Sequence, residues 1–326
     1  MPTPRQSVSL LLLSTAVVLA VGSPARADFL VSVSNNAGSV NEVQRYTDSG
    51  TYVGVFASGG GLSTPEGLAY GPNGNLFVMS YANGCILQYN GTTGAFINCI
   101  TNDPSGANTG IGLKFSPDGK NMFVTNFNSN NIQEYNVASN TWTTFASGGS
   151  LNGPLDLSFL ANGNLIVSNS NTHSVLQYSA LGVFLGSFVA AGSGGLNFPD
   201  GQATKAGSLY VSSSGTNQVL KYDATTGASQ GLFANIGLNA SPIGLLFQPN
   251  GNLLVAANGP GQIQQYDAVG NLIGTFGLAH MGGAAAAGFP TYLVQFVPEP
   301  SSFVLAGLGA TGLLAISWRR RKADAA

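Results

Sequence analysis

The sequence predicts an all-β fold, a six-bladed β-propeller whose last strand completes its first blade. Two recurring pieces carry this prediction. The first reads TPEGLAYGPNGNLFV at Thr64–Val78 and SPIGLLFQPNGNLLV at Ser241–Val255. The second reads CILQYN, SVLQYS or QIQQYD, and its tyrosines recur at intervals of 43 to 46 residues, at Tyr46, Tyr89, Tyr135, Tyr178, Tyr222 and Tyr266. A period near 44 residues with about four short strands per unit is typical of propeller blades.

Each repeat divides into four predicted strands. A short apolar run such as GLAY (Gly67–Tyr70) is expected innermost, and a P-N-G or A-N-G turn joins it to an NLFV or NLIV strand. Glycine and asparagine tolerate the positive φ that such turns need. The ILQY strand follows, and a further turn leads to an outer strand such as LIGTF (Leu272–Phe276). Because blades stack face to face, the strands near the axis read almost continuously apolar.

The phase of the repeats predicts how the ring closes. The segment FLVSVS after Asp28 matches the second strand of a repeat, so the first unit lacks its inner strand. After five complete units, FPTYLVQF (Phe289–Phe296) matches only that missing strand. We therefore expect the C-terminal strand to pair with the N-terminal three, which removes an exposed sheet edge.

The N-terminus predicts export. Arg5 precedes an apolar run from Val8 to Val21, and Ala25-Arg26-Ala27 offers the small-x-small pattern that signal peptidase cleaves between Ala27 and Asp28. The predicted domains are a signal peptide at 1–27, the propeller at 28–297 and a sorting or anchor segment at 298–326.

Charge excludes one class of partner. The segment 28–298 holds five basic and eleven acidic residues, a net charge of 5 − 11 = −6. Nucleic acids and anionic membrane surfaces bind clustered lysine and arginine, and no such cluster lies between the two termini. We therefore expect no nucleic-acid partner.

The two cysteines predict a structural disulfide. Cys85 and Cys99 are equally distant from Thr92, in the turn NGTTG, so a hairpin centred there would place them opposite one another. Directly paired residues lie within disulfide range, and an exported protein reaches an oxidising compartment.

The C-terminal tail resembles the PEP-CTERM sorting signal of Gram-negative bacteria. VPEP, about sixteen apolar residues and RRRK follow one another here. The resemblance implies transient insertion of a hydrophobic helix in the inner membrane, processing by an exosortase, and release to the cell surface or exopolysaccharide matrix. A permanent single-span anchor is the alternative. The residues that match the motif are Val297, Pro298, Glu299, Pro300, Arg319, Arg320 and Arg321.

The repeats resemble NHL repeats, as in NGNLIVSNSNTHSVLQYSALGVFLGSF (Asn162–Phe188), and six-bladed relatives include gluconolactonase-like lactonases with a divalent cation in the channel. That resemblance makes Glu66, Asp156 and Asp200 candidate ligands, with solvated carboxylates at the channel mouth as the favoured alternative. His173 has no metal-ligand spacing to another histidine or cysteine. The sequence thus favours a binding or scaffold module without a cofactor, whose partners are exopolysaccharide or surface proteins. The alternative is a metal-dependent lactonase- or lyase-like enzyme.

Overall fold

The computed structural model describes residues 28–34, 40–101, 110–148, 150–277 and 289–297. In chain order its strands are β1 (Phe29–Ser34), β2 (Asn41–Tyr46), β3 (Tyr52–Ser58), β4 (Pro65–Tyr70), β5 (Leu76–Ser80), β6 (Cys85–Tyr89), β7 (Phe96–Thr101), β8 (Gly110–Phe115), β9 (Asn121–Asn126), β10 (Asn131–Asn136), β11 (Thr141–Ser147), β12 (Pro154–Phe159), β13 (Leu165–Asn169), β14 (Ser174–Tyr178), β15 (Phe184–Val189), β16 (Pro199–Lys205), β17 (Ser208–Ser213), β18 (Gln218–Asp223), β19 (Ser229–Asn235), β20 (Pro242–Phe247), β21 (Leu253–Ala257), β22 (Gln262–Tyr266), β23 (Leu272–Gly277) and β24 (Phe289–Gln295). Single 3₁₀ turns lie at Tyr81–Asn83, Ser170–Thr172 and Ser193–Gly195.

These strands form six four-stranded antiparallel sheets, the predicted six-bladed propeller. Blade 1 has the order β24-β1-β2-β3, and blades 2 to 6 are the five continuous units β4–β7, β8–β11, β12–β15, β16–β19 and β20–β23. The inner strands of neighbouring blades contact each other around the ring, and β24 touches both β20 and β4. The strand exchange that the repeat phase predicts is therefore present.

Burial follows the position of a strand within its blade. Every residue of β5 (LFVMS) and β21 (LLVAA) is buried, because adjacent blades cover both faces of these strands. The outer strands face water, and β7 (FINCIT) is exposed at five of its six positions. The near-continuous apolar reading of the second strands is thus a consequence of blade stacking.

In blades 2 and 5 the recurring tyrosine ties the blade to the linker that enters it. The Tyr89 hydroxyl donates to the Gly59 carbonyl at 2.9 Å, and the Tyr222 hydroxyl donates to the Ser193 carbonyl at 2.8 Å. Both rings are fully buried. A buried phenol needs a hydrogen-bond partner, and the linker carbonyl supplies one, which explains why tyrosine stands where another aromatic residue would also fill the space.

Glycine in the inner strands permits the close approach of blades. Gly67, Gly112, Gly201 and Gly244 occupy equivalent positions, and a Cβ on each would lie 2.2 to 2.5 Å from a backbone oxygen of the next inner strand. Asp156 and Tyr292 occupy this position in blades 4 and 1, by the register of their strands. Neighbouring inner strands can therefore approach this closely only because four of the six have glycine at this position.

The two ends of the folded domain meet in blade 1. The Phe296 amide donates to the Asp28 carbonyl at 2.8 Å. The Asp28 carboxylate pairs with Arg45 at 2.6 Å, and the Arg45 guanidinium lies 3.9 Å from the centroid of the Phe296 ring. Asp28 and Phe296 are buried, so this ion pair and cation–π contact are shielded from much of the solvent that weakens exposed ones.

The disulfide forms, but the predicted pairing register is wrong. Cys85 and Cys99 are bonded with their Cα atoms 5.9 Å apart. In the β6–β7 ladder, however, Cys85 lies opposite Thr101 and Cys99 lies opposite Leu87. The turn is centred between Thr92 and Thr93, and a bulge at the Gln88/Tyr89 step shifts the register by one residue more, so the cysteines become diagonal neighbours. Equal spacing about Thr92 could not reveal a bulge.

We predict that Gly244→Ala destabilises the protein by about 1–3 kcal/mol, the usual cost of overpacking. The new methyl group would lie 2.5 Å from the Thr291 carbonyl oxygen and 2.8 Å from the Tyr292 Cα, both backbone atoms of the closing strand. Thermal and urea unfolding measure the change. Gly277→Ala is the matched control, because no atom of the described residues lies within 4 Å of its Cβ position, so the change should be nearly neutral. Equal stability of the two variants would contradict the close approach at the seam.

Candidate functional site

The axis of the propeller holds two acidic side chains and one phenol. Glu66 and Asp200 directly follow the first prolines of β4 and β16, and β24 contributes Tyr292. The Tyr292 hydroxyl donates to Asp200 Oδ1 at 3.1 Å. Since β24 and β16 belong to blades 1 and 5, with blade 6 between them, this hydrogen bond joins two blades that are not neighbours. Three separate blades thus contribute to one polar cluster.

The environment of the two carboxyl groups favours their neutral forms. Burial raises the pKa of Glu66 to about 8, and the nearby charge of Asp200 contributes to this shift. Burial also raises the pKa of Asp200 to about 7, although the Tyr292 hydrogen bond opposes this shift. Both side chains keep part of their surface toward the channel, but the surrounding ring removes most of their hydration. Both carboxyl groups are therefore partly solvated at the channel and partly enclosed by the ring.

The side chain of Tyr292 is buried at the inner strands of the propeller. Tyr292 is 4% exposed and belongs to the same apolar cluster as Leu68. Ile111 and Ile243 pack against this cluster. Burial and the charges of Asp200, Asp156 and Glu66 raise the pKa of Tyr292 well above the ordinary value. The phenol is consequently a permanent donor toward Asp200. Sequence reasoning missed this residue, and the signal was there: Tyr292 stands where four other blades have glycine.

Asp156 lies in the seam between blades 4 and 5. One carboxylate oxygen accepts the Leu157 amide and the other accepts the Gln202 amide, each at 2.9 Å. Lys114 Nζ lies 4.0 Å from Oδ1. Burial raises the pKa of Asp156, while Lys114 and the two amides oppose the shift. Its oxygens are used to join two inner strands, so the structure gives this residue an architectural role.

His173 also joins blades. Asn130 and Asn217 accept, through their side-chain oxygens, the amides of Gly153 and Ser241 at the entry to the next blade. His173 does the same with Nδ1, which accepts the Phe198 amide at 3.0 Å. All three linking side chains belong to residues with φ between 50° and 57°. His173 is thus the counterpart of two asparagines, and His280 lies outside the described residues.

The three predicted metal candidates do not form one ligand set. Within the ranges that the structure describes, no group of three or more His, Cys, Asp and Glu side chains is placed to hold a metal ion. Asp156 uses both oxygens in the seam, and Tyr292 already binds Asp200. The remaining polar groups of the axis are two carboxyl groups with raised pKa values and the Tyr292 phenol, which donate and accept hydrogen bonds.

The tail leaves the propeller at the closed seam. Val297 is exposed and is the last residue that the structure describes. Pro298, Glu299, Pro300 and the arginines at 319–321 lie outside the described residues, as do Ala25 and Ala27 of the predicted signal-peptidase site. Among the described residues, no helix is long and apolar enough to cross a membrane.

Residues 296–322 match a family model described as the PEP-CTERM protein-sorting motif. The chain carries a PEP-CTERM sorting motif. It is therefore an exported protein whose C-terminal signal is recognised by an exosortase, and a cell-surface or extracellular location follows. The motif begins at Phe296, one residue after the last strand ends. A search of curated proteins found no match to this chain.

Solved structures with low sequence identity share the propeller fold. A propeller in a nidogen–laminin complex has a TM-score of 0.68 at 13% identity, covering 84% of this chain and 99% of that one. A catalytically inactive virginiamycin B lyase of Staphylococcus aureus, solved with quinupristin, has a TM-score of 0.57 at 13% identity, covering 79% and 87%. Regucalcin from Agrobacterium tumefaciens, a calcium-binding protein, has a TM-score of 0.51 at 17% identity, covering 66% and 74%. At these identities the similarity shows the fold alone.

We predict that the protein loses thermal stability as pH rises from about 4 to about 8. Unfolded Glu and Asp release their protons near pH 4, whereas folded Glu66 and Asp200 hold theirs to about pH 8 and 7. The folded state therefore binds more protons in this window, and deprotonation favours unfolding. The expected fall in melting temperature is on the order of 15 °C.

The double variant Glu66→Gln, Asp200→Asn tests the assignment by differential scanning calorimetry. It should flatten the decline, since both amides stay neutral and the amide oxygen introduced at position 200 can still accept from Tyr292. The exposed carboxylates Asp118, Asp223 and Asp267 have lowered pKa values, so their contributions are lost only as pH falls below about 4. An unchanged slope in the double variant would show that other groups titrate.

Proposed function

We propose that the mature protein is a surface or matrix binding module, released from the inner membrane by an exosortase. The observation that carries the proposal is the sorting motif at 296–322, joined directly to a closed propeller. A permanent anchor remains the competing fate of the tail. In this proposal the propeller is the binding scaffold, and the tail is the signal that directs its sorting.

The geometry of the seam supports such processing. Asp28, the proposed mature N-terminus, accepts the Phe296 amide through its carbonyl oxygen at 2.8 Å. Asp28 and Val297, the described residues nearest to the two proposed cleavage sites, thus belong to the same corner of blade 1. Both proposed sites flank a folded unit whose closing contacts are internal, so neither cleavage would open the ring. The propeller can then fold before the tail is processed.

The filled axis supports binding over catalysis in the channel. The Tyr292 hydroxyl donates to Asp200 two blades away, and both oxygens of Asp156 accept hydrogen bonds in the seam between blades 4 and 5. A substrate at this level would have to displace the phenol from a buried hydrogen bond, which is costly. Exopolysaccharide or surface proteins are then the proposed partners, held at the exposed surfaces of the blades.

A lyase- or lactonase-like enzyme is the second candidate, and one observation favours it. Glu66 is a carboxyl group whose pKa of about 8 keeps it protonated near neutral pH, a property of general acids in active sites. Streptogramin B and virginiamycin B lyases share the fold. If a divalent cation bound Glu66 and Asp200 instead, both carboxyl groups would ionise to hold it, and Glu66 would be a ligand in place of a general acid.

Our third prediction concerns the tail. Glu299→Ala and Pro300→Ala should leave the melting temperature unchanged, because both residues follow the last strand. The variants should nevertheless accumulate unprocessed in the inner membrane of an exosortase-bearing host, since the apolar segment with RRRK halts export until it is removed. Intact-mass measurement on surface-released native protein should show that Trp318 and the following cations are missing. Released protein that extends to Ala326 would refute the sorting proposal, and full-length protein found only in membranes would favour the anchor.

The fourth prediction separates the two candidate functions. We expect the purified protein to contain no stoichiometric divalent metal and to turn over neither lactones nor streptogramin B. Metal analysis by mass spectrometry and turnover assays measure this. Asp200→Ala is the informative variant, and Asp223→Ala, at the end of β18 and away from the axis, is the matched control. Bound calcium or zinc that is lost together with activity in Asp200→Ala alone would establish the enzyme instead.

A further inference from the structure

Two equivalent seams of the propeller carry the same trio of aromatic rings. Between blades 5 and 6 the rings belong to Tyr210, Phe233 and Phe247, with centroids 4.9 and 4.8 Å from that of Tyr210. Between blades 3 and 4 they belong to Phe123, Phe145 and Phe159, with centroids 5.0 and 5.3 Å from that of Phe123. Each ring pair meets edge to face. The two trios are structural copies, since the strands that hold them have matching registers.

The trio between blades 5 and 6 holds ammonium groups from the chain itself. Lys205 Nζ lies 4.7 Å from the centroid of Phe247 and donates to the Gly251 carbonyl at 2.8 Å. Lys221 Nζ lies 5.7 Å from the centroid of Tyr210. Ring faces attract cations at these distances. The three rings and the Gly251 carbonyl, which lies in a turn, therefore form a site that holds lysine ammonium groups.

At the copy between blades 3 and 4 both lysines are replaced. Glu134 lies opposite Phe123 as Lys221 lies opposite Tyr210, and Ser116 stands at the position of Lys205 by the register of the inner strands. A cavity of about 300 Å³ opens there. Its lining includes the three phenylalanines, Ser116, Glu134 and Gly163, the counterpart of Gly251. The carbonyl position and the rings are retained, while a cation has been exchanged for a carboxylate.

Hydrogen bonds fix the position of the Glu134 carboxylate in this cavity. Asn121 Nδ2 donates to Glu134 Oε1 at 2.6 Å, and Asn121 is itself oriented by a hydrogen bond from Asn136. Burial raises the pKa of Glu134, and a cation bound beside it would offset that loss of hydration. At the rim, Lys120 pairs with Asp118 at 3.2 Å, and its side chain is 76% exposed.

We propose that the cavity between blades 3 and 4 binds the primary ammonium group of a lysine side chain from a partner peptide or protein. The Glu134 carboxylate pairs with the ammonium, and the faces of Phe123, Phe145 and Phe159 surround the methylene chain and the charge. The alternation of a filled and an open copy within one ring carries this assignment. It is independent of the axial cluster and of tail processing.

Titration of the full-length protein with Nα-acetyl-lysine methylamide tests the proposal, by calorimetry or by NMR of the Phe ring protons. We expect a dissociation constant on the order of 1 mM, with the uncharged Nα-acetyl-norleucine methylamide at least about tenfold weaker. Glu134→Gln should weaken lysine binding by about tenfold, the effect of removing one charge-assisted hydrogen bond. Equal binding of the two probes, or an unchanged affinity in Glu134→Gln, would overturn the assignment.

A charge-swapped variant is the matched control. Gln88 occupies the Glu134 position in the smaller cavity between blades 2 and 3, of about 220 Å³, which pairs Phe77 and Phe115 with Ile100. Gln88→Glu combined with Glu134→Gln keeps the net charge of the protein, and its lysine binding should remain weak. Restored affinity would mean that net charge alone, and not the aromatic trio, explains the binding.

Two further variants test occupancy of the cavity. Glu134→Lys should fold, place its ammonium as Lys221 does in the other seam, and abolish binding of the lysine probe. Lys120→Met should leave the affinity unchanged, because Lys120 is held at the rim by Asp118. Retained binding in Glu134→Lys, or about tenfold tighter binding in Lys120→Met, would show that the cavity is not the open ammonium site.

Discussion

Closure of the ring between β24 and β1 is the constraint on which the rest of the structure depends. A propeller blade cannot bury its faces alone, so each of the six needs neighbours on both sides. In this chain the last seam requires a strand from 289–295 to pair with one from 29–34. The contacts of Asp28, Arg45 and Phe296 add an ion pair, a cation–π contact and a backbone hydrogen bond at that point. Contacts between residues more than 250 positions apart carry a large entropy cost of loop closure, so we infer that the seam forms late in folding.

Closure also dictates the composition of the axis. Six inner strands meet closely enough that four of them have glycine at one level, where the next backbone lies within 2.5 Å of a Cβ position. Tyr292 and Asp156 are the exceptions. The Tyr292 hydroxyl donates to Asp200, and Asp156 links blades 4 and 5 by accepting the Gln202 amide. The raised pKa values of Glu66 and Asp200 follow from this crowding. The raised pKa values at the axis are therefore a consequence of packing, and they do not by themselves indicate a catalytic role.

The sequence carries most of the fold because the repeat is periodic. Spacing of the tyrosines predicts the blades, and the phase of the first and last units predicts the strand exchange. Side-chain partners across the ring are harder to predict. The bulge beside Tyr89 displaced the cysteine register, and Tyr292 reaches a residue two blades away. Such contacts depend on the curvature of the closed ring, to which a single repeat gives no clue. The local environment of Glu66, which sets its pKa, is likewise fixed by blades far away in the chain.

Departures from the repeat are the places where binding can evolve. Positions that preserve the seam, such as the buried tyrosines and the linking asparagines, leave little freedom, and even His173 keeps the hydrogen bond of the asparagine that it replaces. The residue before each tyrosine is free to vary: it is Arg45, Gln88, Glu134, Gln177, Lys221 and Gln265 around the ring. Where it is Lys221 or Arg45, its charge lies over an aromatic ring. Where it is Glu134, the same wall of rings faces a cavity. A closed propeller can therefore change the charge of one seam without changing the fold, and in this exported module two repeat positions, those of Ser116 and Glu134, distinguish the proposed binding site from its filled copy.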